Sequence, residues 1–479
     1  MRNPGLSQAL RLAACTAAFA LVAAGCSSSS SPKAGGTTPA TAAPASTSAG
    51  APTAGASASI TTSAPITGAP TSGAPATGAT GSTTPEAGTD DGANLTMWVR
   101  AATGPYSQRL VDDYNSSHKN HVTLTVIPSD SYQQKIGVAA GSHSLPDLLA
   151  SDVVYSPNYV HEGLFADITS QVKALPFFAQ LSQAHMQAAS AGGKIYAVPH
   201  KVDSSLILYN KDLFQKAGIS TPPKTFTDIY NDAKAVRGLG GDTYGFYFAG
   251  ACAGCNAYTT MPYSVAGGHP PLTDDGKKAD IDNPALQQAY ALYKKMFDDG
   301  LVPSAAKTDN GSTWTTQFEA GKIGMLPAGT FVFADMAKVK FNWGITPLMS
   351  PDGSKTSTFV GGDVLGIAQS SKKEREAWNF VAWTLGDHAQ VEDIAKNGDL
   401  PVRTDLANNQ YTAKDPRDSA AVAGLANGYT PSALPYGALF NDNTGPWNQL
   451  FQQAVFGSDP AKAFASAQAT IQAALTAGS

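Results

Sequence analysis

From residue 94 onward the chain alternates between short apolar runs and longer stretches with helical spacing. Leu95-Thr96-Met97-Trp98-Val99 reads as a buried strand, and Val122-Thr123-Leu124-Thr125-Val126 alternates like a half-buried one. Between them Ser107 is placed to cap a helix with Leu110, Val111 and Tyr114 on its apolar face. Ser131 opens a second helix with Tyr132, Ile136 and Ala140 on one side, and Leu148-Leu149-Ala150 makes a third strand. Strand–helix–strand–helix–strand predicts a parallel sheet with right-handed crossovers. A second α/β unit follows. Leu206-Ile207-Leu208-Tyr209 and Tyr244-Gly245-Phe246-Tyr247-Phe248 read as strands. Asn283-Pro284 starts a helix that buries Leu286, Tyr290, Tyr293 and Phe297 and stops at Gly300. Ser371-Lys372-Lys373-Glu374 has the pattern of a capping box before Ala377, Trp378, Val381 and Leu385. No internal repeat is visible. No apolar run after residue 25 is long enough to span a bilayer.

The first 93 residues have another texture. Arg2 and Arg11 precede a short apolar run from Leu12 to Ala24, as in a signal peptide over residues 1–25. Leu21-Val22-Ala23-Ala24-Gly25-Cys26 resembles a bacterial lipobox, with Ala23 where Leu is commoner. The resemblance implies a diacylglycerol on the Cys26 sulfur and a lipid-anchored protein on the extracytoplasmic face of the cell membrane. A plain secretory signal is the competing reading. Residues 26–93 are almost wholly Ser, Thr, Ala, Gly and Pro, a composition that cannot bury enough apolar surface to offset its ordering entropy. They are expected to form a disordered tether. The chain of 479 residues carries a net charge of −5, which excludes the basic footprint of a nucleic-acid binder. Of its four cysteines, Cys15 leaves with the signal and Cys26 takes lipid. Cys252 and Cys255 remain, and outside the cytoplasm a local disulfide is the default. Thioredoxin-like chemistry is disfavoured because no helix-starting pattern follows, and zinc because no second ligand pair stands nearby. No metal or other cofactor is expected.

Several ordered blocks resemble the family 1 extracellular solute-binding proteins of ABC importers, the maltose-binding type. They are Leu145-Pro146-Asp147-Leu148-Leu149, Glu162-Gly163-Leu164-Phe165-Ala166-Asp167-Ile168, Lys194-Ile195-Tyr196-Ala197-Val198-Pro199 and Leu208-Tyr209-Asn210-Lys211-Asp212-Leu213-Phe214. Later come Phe318-Glu319-Ala320-Gly321-Lys322-Ile323-Gly324-Met325, Phe359-Val360-Gly361-Gly362 and Leu400-Pro401-Val402-Arg403. Each is weak alone; their order and spacing make the resemblance. It implies an α/β fold of two hinge-connected lobes with a ligand cleft between them. Lobe one would span 94–204 and 357–405, and lobe two 205–347 and 408–479. It also implies a monomer that captures a small solute, a sugar or oligosaccharide, and hands it to ABC permease subunits.

A sugar's hydroxyls call for carboxylates, amides and Arg, and its C–H faces for flat aromatic rings. Loops after strands offer Arg100, Tyr106 and Asp152 in lobe one, with Asp203 at the crossing, where the family often places an acidic contact. The wall over 250–258 adds Asn256. Trp314 and Phe331 are stacking candidates, Phe331 standing where relatives often carry Trp. Gly362 would let backbone approach the ligand, Asp363 would accept hydroxyls, and Arg403 would pair with Asp363 or touch ligand. Tyr436 completes the set, while Trp447 reads as core. The alternatives are an extracellular carbohydrate-active enzyme and the same fold with a non-sugar solute. No block resembles a hydrolase, and neither G-x-S-x-G nor H-E-x-x-H occurs, so a non-enzyme is expected.

Overall fold

A computed structural model describes residues 88–478. The signal peptide, the lipobox with Cys26 and the tether up to residue 87 lie outside the described residues. Residues 88–93 are fixed to the domain and are not tether. Asn120 Oδ1 accepts the N–H groups of Asp91, Gly92 and Ala93, its Nδ2 donates to Thr89 O, and its own N–H donates to Asp90. A polar segment is held here because one buried side chain answers its backbone, a pairing that composition does not reveal.

Strand β1 (Asn94–Arg100) is followed by helix α1 (Gly104–Ser117), strand β2 (His121–Ile127), helix α2 (Tyr132–Gly141) and strand β3 (Leu148–Asp152). β1 lies between β2 and β3 and parallel to both. α1 starts before the expected Ser107 because Pro105 occupies its first turn, with φ preset and no N–H to satisfy. Ser107 is instead inside the helix, 2.8 Å from His200 Nε2. Ser131 precedes α2, but its hydroxyl donates to Pro128 O rather than capping.

The longer elements beyond are β4 (Ala197–Asn210), β5 (Tyr244–Phe246), α3 (Ala253–Ala266), α4 (Pro284–Asp298), β6 (Ile323–Gly329), β7 (Trp343–Thr346), β8 (Thr356–Ile367), α5 (Glu374–Thr384), α6 (Pro446–Phe456) and α7 (Pro460–Ala477). The sheet order is β2-β1-β3-β8-β4-β6-β5, with β7 also on β4. β4 is one strand of 14 residues, not the four-residue run expected, because its partners change along it. Residues up to Ser204 pair with β8, and those from Ser205 pair with β6 and β7.

Two main cores flank that change of partners. One gathers Leu95, Met97, Val99, Tyr114, Phe380 and Val381. The larger gathers Leu206, Leu208, Phe246, Tyr263, Tyr290, Tyr293 and Phe451. α4 is capped by Asn283, whose Oδ1 accepts from Leu286 N at 2.9 Å, and Gly300 ends the segment at φ +69°. Phe297 is only half-buried and rests edge-on against Phe456. The capping box does not form. α5 begins at Glu374, while Ser371 Oγ is drawn to Asp147 Oδ1 at 2.8 Å. A helix does start at the cysteine pair, contrary to the sequence reading. Cys252 is the N-cap of α3, and its sulfur accepts from Cys255 N at 3.2 Å. Cys is an uncommon cap, so the usual signals are missing. The two sulfurs are joined, with Cα atoms 5.3 Å apart. Among the described residues no helix is long and apolar enough to cross a membrane.

Candidate functional site

A cavity of about 420 Å³ opens where β1 and β3 end and where β4 changes partners. Two kinds of wall face it. The charged wall comes from strands: Arg100 is the last residue of β1, Asp152 the last of β3, and Lys201 and Asp203 sit in the middle of β4. The aromatic wall comes from the other side: Tyr258 on α3, Trp314, Phe331 just after β6, Phe359 at the start of β8, and Tyr436. Gly254, Cys255 and Asn441 complete that side, and Asn441 Nδ2 donates to Tyr155 OH at 3.0 Å.

The charged wall is a continuous network. Arg100 lies 3.1 Å from Asp152 through Nη1 and 2.5 Å from Asp363 through Nη2, and its Nε donates to Asp363 at 2.8 Å. Thr103 donates to the other Asp363 oxygen at 2.8 Å. Lys201 Nζ donates to Asp399 at 2.5 Å and stands 3.7 Å from Asp203, and Arg109 binds the second Asp399 oxygen. Burial works against ionising Asp363, yet the Arg100 guanidinium and the two hydrogen bonds hold its carboxyl below the usual range. Asp152 and Asp203 go the other way: burial raises both, and the nearby cations offset it only in part. Asp203 has the loosest contacts, Thr330 Oγ1 at 3.5 Å and Lys201 at 3.7 Å, and among the described residues its Oδ2 meets no donor.

The aromatic wall is less restrained. Phe331 is 41% exposed, with its ring centroid 5.7 Å from Trp314 and 6.0 Å from Tyr258. Tyr258 in turn is 5.1 Å from Phe359, and among the described residues its buried hydroxyl has no partner. Gly361 leaves room for the Tyr258 ring, since a Cβ there would sit 3.0 Å from it.

Seven sequence candidates line this cavity: Arg100, Asp152, Asp203, Trp314, Phe331, Gly362 and Tyr436. Four do not. Tyr106 is buried, its hydroxyl donating to His200 O and its ring under Lys201 Nζ at 5.0 Å. Asn256 is buried inside α3, and its Nδ2 donates to Gly250 O. Asp363 has no exposed surface; it anchors Arg100 and the Thr103 hydroxyl and does not line the cavity. Arg403 neither pairs with Asp363 nor reaches the cavity; it binds Asp387, Asp405 and Leu385 O and lies over Phe177 at 3.8 Å. Gly362 also has a different reason for being Gly. Its φ is +111°, and a Cβ would lie 2.0 Å from Lys201 O, so strand contact at the bulge demands it. Trp447 is core, with no exposed surface. Sequence reading missed Lys201 and Phe359. Lys201 lies two residues from Asp203, so alternation along one strand would have put both on the same face.

Comparison with known proteins bears on the family and the fold. The family profile of the bacterial extracellular solute-binding protein matches residues 98–391. A diacetylchitobiose-binding protein of Streptomyces coelicolor is 26% identical over 388 residues, 79% of this chain and 89% of that one. A maltooligosaccharide ABC transporter solute-binding lipoprotein of Streptococcus pneumoniae is 25% identical over 418 residues, 82% and 92%. The solved cyclic α-maltosyl-1,6-maltose-binding protein of Arthrobacter globiformis shares the two-lobed α/β fold at 22% identity and a TM-score of 0.70, over 81% of this chain and all of that one. With most of the folded domain inside the profile and the cavity at the strand ends, this chain belongs to the bacterial extracellular solute-binding protein family.

Proposed function

We propose that the protein captures a sugar or oligosaccharide in the cavity between its lobes and delivers it to an ABC importer. The observation that carries this reading is the division of the cavity into a hydrogen-bonding wall of carboxylates and cations and a wall of open aromatic faces. A saccharide presents those two surfaces together. The relatives named for diacetylchitobiose and maltooligosaccharide support the ligand class. Arg100, Asp152 and Asp203 take hydroxyls, Trp314, Phe331 and Tyr436 take ring faces, and Lys201, Tyr258 and Asn441 join them. The lobes meet at Ser204 and Ser205 on β4, where the change of partner strands makes a hinge. Lobe one is 94–204 with 357–405, and lobe two is 205–347 with 408–479. The protein acts as a monomer without cofactor and releases its ligand unchanged. Cys26 carries the lipid anchor, as the lipoprotein relative suggests, and the Cys252–Cys255 bridge persists in the secreted protein.

A thermal-shift and calorimetry screen of the full chain against mono- and oligosaccharides tests the reading. One-to-one binding should raise stability by roughly 2.7 kcal/mol at a hundredfold excess over the dissociation constant. Scattering should show a smaller radius of gyration with ligand bound, because only the closed form contacts it from both lobes. A bound saccharide recovered cleaved would replace binding protein with enzyme. For the anchor, palmitate label retained by Cys26→Ala protein would remove that cysteine as the acceptor.

A further inference from the structure

We infer that the cleft selects a saccharide bearing a protonated amino group, with the ammonium seated on the Asp203 carboxylate. This rests on the saccharide reading above and narrows it to basic sugars. Three observations lead here. The first is a charge count over the connected network. Arg100, Lys201 and Arg109 are its cations, and Asp152, Asp203, Asp363 and Asp399 its carboxylates. Three cations against four carboxylates leave one negative charge in excess at the cavity wall.

The second observation locates that charge. Asp363 is held by Arg100 and Thr103, Asp152 by Arg100 and Val154 N, and Asp399 by Lys201 and Arg109. Asp203 alone has only long contacts, 3.5 and 3.7 Å, although it is 8% exposed and lines the cavity. Three of the first-turn amides of α3, another source of positive potential on the lining, are already engaged. Ala253 N donates to Asn443, Cys255 N to Cys252 Sγ and Asn256 N to Cys252 O. Burial also raises the Asp203 carboxyl, as expected for a charge waiting for a partner.

The third observation is the opposite wall. Tyr258, Phe331 and Trp314 stand with neighbouring ring centroids 5.7–6.0 Å apart. Their faces accept either a sugar's C–H surface or a cation. A neutral hydroxyl would satisfy the free oxygen of Asp203 but leave the network one charge short. An ammonium does both, and a charge-assisted hydrogen bond is about twice as strong as a neutral one.

Calorimetry on the full chain with matched sugars tests this. Each set differs only in its C2 substituents: glucose, glucosamine and N-acetylglucosamine; galactose, galactosamine and N-acetylgalactosamine; cellobiose, its diamino analogue and diacetylchitobiose. Below the amine's own pKa, the amino sugar of at least one set should bind about tenfold or more tighter than its hydroxyl and acetamide partners. Asp203→Asn should erase that advantage, weakening the amino sugar about tenfold more than the hydroxyl sugar. If that variant does not fold, titrating the wild-type complex through the amine's pKa should erase the advantage instead. Neutral or acetylated sugars binding as tightly as the amines overturn this inference and leave the saccharide reading standing. An advantage that survives in folded Asp203→Asn overturns the seat on Asp203. No binding by any sugar, here or in the wider screen, removes both.

Discussion

The two walls of the cleft are built on opposite principles. The charged wall sits on strands, and nearly every group in it already has a partner within the protein. The aromatic wall sits on a helix, a turn after β6, the start of β8 and loops, with Phe331 open to solvent and the Tyr258 hydroxyl unpartnered among the described residues. Buried charges must be fixed by their neighbours before any ligand arrives, because an unpaired one costs several kcal/mol. Aromatic faces need no such fixing and can wait exposed. The first wall should therefore report on folding when altered, and the second on binding.

The strongest way to break that contrast is Asp363→Ala. It leaves the partly buried Arg100 without its best partner, so stability should fall by about 3 kcal/mol in urea denaturation. A loss under 1 kcal/mol would mean that the network does not support the fold. Acid should act on the same side. His185 and His200 are buried, and burial pushes each down to about 4, against 6.5 when exposed. Between those values the unfolded chain takes up protons that the folded chain does not. Their stabilising effect is complete above pH 6.5 and is lost as pH falls toward 4, up to about 3 kcal/mol for each imidazole. Asp152 and Asp203 oppose this. Their raised carboxyls keep protons in the folded state that the unfolded chain sheds just above its own carboxylate range, which softens the lower end of the slope. Urea midpoints across this range, compared with His200→Gln, should show that variant losing its share.

Smaller effects sharpen the other side. Replacing Cys252 and Cys255 together with Ser opens a very short loop and should cost about 1–2 kcal/mol of stability. The affinity change should be larger than expected from stability alone, since a Cβ on Gly311 would lie 3.0–3.1 Å from both sulfurs and the segment it starts leads to Trp314. Matched melting and calorimetry separate the two effects. Phe331→Ala should leave the melting temperature within error and weaken ligand binding by about 1 kcal/mol through lost ring contact. A drop in stability without a drop in affinity would move Phe331 out of the binding wall.

Much of this was readable from the sequence. The alternation over 95–99 and 122–126, the spacing of Leu110, Val111 and Tyr114, and the Asn283-Pro284 start depend only on neighbours a few residues away, and those elements form close to where the pattern puts them. The ordered blocks likewise carried the family, because they keep their spacing along the chain. What failed depends on partners far away. Ser371 has every local feature of a cap, but Asp147, 224 residues distant, takes its hydroxyl. Asp363 and Arg403 were both plausible at a ligand, but only the fold decides that one is sealed behind Arg100 and the other is satisfied by Asp387 and Asp405.

The sequence alone thus determined the two α/β units, the family and the types of residue a cleft would use, since propensity, periodicity and spacing are local. Tertiary structure decided which of those residues face the cavity and which carboxylate keeps only long contacts. β4 shows why: one strand changes its partners at Ser204, and pairing between segments more than a hundred residues apart leaves no mark on the sequence of either.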